Sequence, residues 1–184
     1  MRSLQDHFLI AMPAMADPNF TQTVTYICKH DAEGAFGVVI NRPGDLSLGE
    51  ILGQLAIELK DRTLAERPVL HGGPVEPERG FVLHRSEQPF EATLAVGGEI
   101  KLTSSPDILA ALGRGAGPEP VLVALGYAGW AGGQLEAELS SNTWLTVPAN
   151  PSIIFGTPFE QRWTAALGLP GVDIQRITEY AGHA

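Results

Sequence analysis

The residues with most chemical potential lie in three short stretches. The first is His71-Gly72-Gly73-Pro74-Val75. Two glycines after a strand and before a proline can expose backbone N–H groups as an anion-binding nest, or can simply make a tight strand exit. The second is GYAGWAGGQLEAEL, Gly126–Leu139. Its glycines permit positive φ or close backbone approach around Trp130. On a helix over Ala131–Ser141, Ala131, Leu135 and Leu139 form an apolar stripe, with Gln134 and Glu138 four apart on one border. Glu136 falls on the opposite border, so Glu136 and Glu138 do not face each other as a paired acid and base would. Trp130, Gln134 and Glu138 are therefore expected to line one side of a cleft; a partly buried helix with solvated glutamates is the plainer alternative. The third is Asn41-Arg42-Pro43, where a guanidinium at a strand end suits a carboxylate or phosphate, or a surface ion pair worth little.

Several reaction classes find no support. There is no G-x-S-x-G elbow and no Gly-Lys-Ser/Thr of a phosphate-binding loop. Gly113–Gly117 (GRGAG) follows a helix instead of a strand, which removes its dinucleotide reading. The five histidines are His7, His30, His71, His84 and His183. None is spaced to share a metal with another, and Cys28 with His30 makes no zinc site. No cofactor, metal or established catalytic residue is expected. A hydrolase remains as the alternative reading. In it the His71–Gly73 amides form the nest, His71 or His84 serves as base, and Glu138 orients it.

Charge narrows the partners. The formal net charge is −9, and Lys and Arg never cluster in threes. Duplex DNA is held largely through Lys and Arg contacts to phosphate, so direct nucleic-acid binding is disfavoured. An anionic membrane surface is disfavoured for the same reason. The longest near-apolar run is too short to span a bilayer. The apolar N-terminal run is broken at Pro13, which suits a first strand better than a targeting signal. A single cysteine, Cys28, forbids an internal disulfide and fits a reducing cytosol.

The elements that must position these residues follow from period and punctuation. Alternation predicts strands over His7–Met12, Val24–His30 and Ala35–Asn41, the last two joined by a hairpin turn at Asp31–Gly34. Val24, Tyr26 and Cys28 share one face. Ser47-Leu48-Gly49-Glu50 is a capping box opening an amphipathic helix. Short strands are expected at Val69–Gly73, Phe81–Arg85, Leu94–Val96, Ile100–Leu102, Val121–Gly126, Thr143–Val147 and Ser152–Phe155. Pro74–Gly80 reads as a loop. Ser105-Pro106 and Thr157-Pro158 open two more helices, each with Ser or Thr as N-cap. This interleaving predicts an α+β fold in a single domain over residues 1–184, with a mixed sheet and about four flanking helices.

Several segments together carry a resemblance: FLIAMP at Phe8–Pro13, Asp17-Pro18-Asn19-Phe20, GAFGVVINRP at Gly34–Pro43, HGGPV at His71–Val75, RGFVLH at Arg79–His84, GYAGWAGGQLEAEL at Gly126–Leu139, Trp144-Leu145 and the terminal Gly182-His183-Ala184. Their order and spacing resemble the AlgH/YqgE family of bacterial proteins. The resemblance implies a largely antiparallel, bifurcated sheet partly closed into a barrel, in the bacterial cytosol. It hands over no activity; one member bears the label of a transcriptional regulator of alginate production. The expectation is a cytosolic regulatory or binding protein acting through a protein partner or a small anionic ligand. The residues expected at its surface are Asn41, Arg42, His71, Gly72, Gly73, Pro74, Trp130, Gln134 and Glu138.

Overall fold

The computed structural model describes residues 2–173 and 175–177; Gly182-His183-Ala184 lies outside them. The fold is α+β. Ten strands form one mixed, largely antiparallel sheet: β1 (His7–Ala11), β2 (Val24–Asp31), β3 (Gly34–Val39), β4 (Pro43–Ser47), β5 (Pro68–His71), β6 (Val75–His84), β7 (Thr93–Gly97), β8 (Ile100–Thr103), β9 (Val121–Ala131) and β10 (Trp144–Pro148). The main path runs β10-β1-β2-β3-β9-β6-β8-β7, and β4 and β5 branch from it at β9. The β5–β9 pairing is parallel. The sheet curls into a half-barrel. Its far ends meet at one corner, where the Gln5 side chain donates to the Val96 carbonyl at 2.7 Å and Asp6 lies against Gly97.

Helices cover both faces. On the convex face, α1 (Leu48–Gln54), α2 (Arg62–Ala65) and α3 (Asp107–Gly113) lie over one half of the sheet, burying Leu48, Leu52, Ile108 and Leu112 against Val69, Val82 and Val123. On the other half, α4 (Gln134–Ser140) sets Leu135 against Leu9, Ile27 and Trp144. Inside the curl, α5 (Pro151–Phe155) and α6 (Arg162–Leu167) pack Ile153, Ile154 and Ala166 on Phe8, Ile10, Tyr26 and Val38. These six α-helices and the 3-10 turn Phe159–Gln161 already exceed the about four flanking helices expected from the sequence.

The Ser47 capping box forms as its sequence predicts. Cys28 is a buried free thiol on the face shared with Val24 and Tyr26. Other expectations need correction. Ser152–Phe155 is helical: Asn150 accepts from the Ser152 N–H and Pro151 occupies the first turn, a start signal that outweighs two adjacent isoleucines. Ser105 and Thr157 do not cap. The Ser105 hydroxyl instead donates to Asp107 and accepts from the Ala92 N–H, and Thr157 donates to the Ser152 carbonyl. Pro43 begins a strand instead of ending one. Asp31 pairs with Gly34, so the hairpin connection is Ala32-Glu33 alone. The Pro74–Gly80 loop lies mostly within β6, as a bulge.

The largest correction concerns β9. The strand does not stop at Gly126 but runs on to Ala131, and α4 starts only at Gln134. Gly126 sits at φ +79°, which a side chain opposes. It shifts the alternation by one residue. Before it, Leu122 and Ala124 face the inside of the curl and Val121 and Val123 face outward; after it, Tyr127 faces inward and Ala128 and Trp130 outward.

Candidate functional site

His71-Gly72-Gly73-Pro74 lies where the sheet forks. Along one side of β9, β5 pairs with Ala124 and Leu125, and β3 pairs with Ala128–Ala131. Gly72 bridges the fork: its N–H donates to the Leu125 carbonyl and its carbonyl accepts from Val39, both at 2.8 Å. The His71 N–H donates to the Arg42 carbonyl at 2.8 Å. A Cβ on Gly72 would stand 2.4 Å from the Gly126 carbonyl oxygen, and one on Gly73 would stand 2.1 Å from the Tyr127 carbonyl carbon. The glycines serve backbone approach. Two of the amides proposed as a nest already donate within the fold, and Pro74 has no N–H to add.

Asn41 and Arg42 hold the preceding loop. Asn41 Oδ1 accepts from the Val24 N–H, and its amide donates to the Gln22 carbonyl. The Arg42 guanidinium donates to the Pro18 and Thr21 carbonyls at 2.7 and 2.9 Å. Desolvation lowers its pKa, opposed by Asp17. This explains structurally why NRP and DPNF occur together.

Around α4 the expected cleft is a packed cluster. Trp130 is buried and meets Trp144 and Phe20 with ring centroids 6.2 and 6.3 Å apart. Gln134 Oε1 accepts from the Ala131 N–H at the start of the helix. Desolvation holds the Glu138 carboxyl above its usual range, offset in part by the Trp130 indole, and its Oε2 is buried without a partner. Glu136 points the other way, as the helical spacing predicts, and accepts from His30 Nε2 at 2.5 Å. Hydrogen bonds from its own backbone amide and from His30 hold Glu136 below the usual range. The His30–Glu136 pair carries no spacing signal, because its members are 106 positions apart.

A concave feature with a specific lining lies elsewhere. On the inner face, Phe36, Phe81 and Tyr127 form an aromatic floor with ring centroids 4.9 to 5.9 Å apart. Each such pair contributes roughly 0.5–1.5 kcal/mol beyond burial. The floor and the facing Leu94 and Leu102 enclose a groove of about 570 Å³. Arg79 stands at its rim, 5.2 Å from the centre of the Phe81 ring and 3.3 Å from Glu76. Desolvation and the neighbouring Glu76 carboxylate raise the Tyr127 phenol pKa. Glu76–Arg79 is the β6 bulge: Val75 pairs with Tyr127 and Gly80 with Leu125, so four residues stand opposite Gly126 alone. Glu76 holds φ +44°, a conformation most side chains avoid. Sequence reasoning missed this groove, although RGF contributes Arg79 and Phe81 to it, GAF Phe36 and GYAG Tyr127. The signal was the phase change at Gly126, which turns Tyr127 inward.

The family model described as AlgH-like matches residues 8–175. The chain belongs to the AlgH-like family. A UPF0301 protein of Xanthomonas campestris pv. campestris is 51% identical over 181 residues, covering 98% of this chain and 96% of that one. One from Xylella fastidiosa is 53% identical over 182 residues, covering 99% and 97%. The solution structure of the AlgH protein from Pseudomonas aeruginosa matches with a TM-score of 0.79 at 50% identity, covering both chains fully. A crystal structure of a Corynebacterium diphtheriae protein shares the fold, with a TM-score of 0.72 at 19% identity over 93% of this chain and 90% of that one.

In this AlgH-like chain the hydrolase alternative finds no assembled site. His71 is exposed beside Gly44. His84 is fully buried, with Nδ1 accepting from the Ser86 N–H and Nε2 bonded to Thr103 Oγ1 at 2.7 Å. Burial, and then Lys101, lowers its pKa. His30 is occupied at both nitrogens, Nδ1 by the Leu4 N–H and Nε2 by Glu136. Neither His71 nor His84 has a hydrogen bond to Glu138. Among the described residues no three His, Cys, Asp or Glu side chains converge as metal ligands would, and no helix is long and apolar enough to cross a membrane.

Proposed function

We propose that this is a non-enzymatic binding protein of the bacterial cytosol, a regulator acting through a ligand or protein partner and not by gripping DNA. The groove carries this reading. Its aromatic floor suits an apolar or aromatic group, and Arg79 at the rim suits a carboxylate beside it. Exposed apolar surface gathered in one concavity is a mark of interaction. The distribution of cations supports the second half of the reading: Lys29, Arg67, Arg85 and Lys101 each pair with a carboxylate, and Arg42 and Arg162 are bound to backbone carbonyls. A phosphate backbone would have to compete for those six of the chain's twelve Lys and Arg residues.

The test is an NMR titration with indole-3-carboxylate as probe. Shifts confined to Phe36, Phe81, Tyr127 and Arg79, weakened about ten- to hundredfold by Arg79→Ala as expected for a charge-assisted hydrogen bond, are the expected result. Shifts scattered over the surface would reject the groove. Separately, tight duplex-DNA binding that falls steeply with salt would reject the partner-mediated mechanism.

A further inference from the structure

We propose that the outer edge of β7 is a docking site for an extended segment of a partner protein, which adds a strand beside Thr93–Ala95 and lays an apolar side chain in the groove with a carboxylate toward Arg79. The proposal rests on the groove reading above and names its occupant.

The edge is open. β7 ends the strand order, and Thr93, Leu94 and Ala95 are all exposed. The Ser104 N–H donates to the Ala92 carbonyl, and the register pairs Thr93 with Thr103, Leu94 with Leu102 and Ala95 with Lys101. In an antiparallel ladder, hydrogen-bonded and non-hydrogen-bonded pairs alternate. Leu94 therefore bonds to β8, while the N–H and C=O of Thr93 and Ala95 point outward. Such groups are matched by another extended backbone.

The other edges are guarded. β4 carries Pro43 and Asp45 and pairs irregularly with β5. β10 buries Trp144, Leu145 and Val147 and ends at Pro148. The Thr93–Ala95 stretch has neither charge nor proline. Its apolar member, Leu94, is 36% exposed and faces the groove.

The location fixes the kind of occupant. Gln5 and Asp6 close the curl at the Val96–Gly97 corner. The groove, lined from Phe36 on β3 across to Leu94 on β7, is where the curl stays open. A strand on β7 would fill that gape, with alternate side chains turned to the aromatic floor. A second copy of this chain fits less well. Its own β7 carries no carboxylate within Thr93–Gly97 to lay in the groove, and each copy carries net charge −9.

The experiment pans a phage-displayed random-peptide library against the full chain. The Ala95→Pro variant removes one outward N–H, and Ala95→Lys places a charge on the edge; both are checked for unchanged thermal unfolding. The expected peptides alternate apolar residues and carry an acidic one. They bind at least one of the variants about tenfold more weakly, the loss of a net hydrogen bond or two, and slow amide exchange at Thr93 and Ala95. Failure to enrich such peptides, or equal binding to wild type and both variants, would overturn the proposal. So would concentration-dependent protection of Thr93 and Ala95 without peptide, which would assign the edge to a second copy. If indole-3-carboxylate still shifts Phe36, Phe81 and Tyr127 in any of those cases, the groove stands and the edge alone is rejected.

Discussion

The fork at Gly72 and Gly126 and the groove beside β7 lie close together along β9, yet they differ in what they leave over. At the fork, the His71 and Gly72 amides, the Gly72 carbonyl, and the Asn41 and Arg42 side chains are all engaged within the chain. The groove leaves Phe36 and Tyr127 half-buried beside a buried Phe81, and a strand edge unpaired. The densest motifs mark the fork, because close backbone crossing tolerates few residue types. The groove draws one aromatic from each of three ordinary-looking strands. Motif density here tracks steric demand, and leftover interaction capacity tracks the candidate site.

This contrast can be broken experimentally. The largest effect is expected at the fork. Gly73→Ala places a methyl 2.1 Å from the Tyr127 carbonyl carbon and should cost more than about 3 kcal/mol in urea denaturation. A loss below about 1 kcal/mol would mean that the fork relaxes freely. Next comes Arg162→Leu. Its buried guanidinium donates to the Ile40 and Thr157 carbonyls, and burial lowers its pKa to about 10. Orphaning those carbonyls should cost about 2–4 kcal/mol by the same measurement.

Smaller effects should separate the two glutamates of α4 by sign. Glu136 is held low, so the stability it confers is present above the ordinary glutamate value and disappears as pH falls through its depressed one. Glu136→Gln should therefore flatten the acid limb of a stability–pH curve. Glu138 is held high, so stability is lost as pH rises from the ordinary value through the raised one. Glu138→Gln should raise the unfolding midpoint at pH 7, with the gain vanishing in acid. Curves of the same sign for both would contradict the opposed orientations. The smallest change in stability is expected at the groove. Arg79→Ala should stay within about 0.5 kcal/mol of wild type, since its ion pair is exposed. The same substitution should weaken groove binding, and that combination would sharpen the contrast with the fork.

Local rules made much of the fold legible. The Ser47 capping box, the β2–β3 hairpin, and the opposite bearings of Glu136 and Glu138 all follow from short-range geometry, and the structure has each of them. Motif order was enough to place the chain in its family. The candidate site was not legible in the same way. Phe36, Phe81 and Tyr127 meet only because Gly126 turns the alternation of β9 and the sheet then curls. His30 meets Glu136 across 106 positions for the same kind of reason. Caps and alternation depend on neighbours a few residues apart, which the chain states in order. Which faces, rings and edges remain unfilled depends on contacts between distant strands, and only the closed fold decides those.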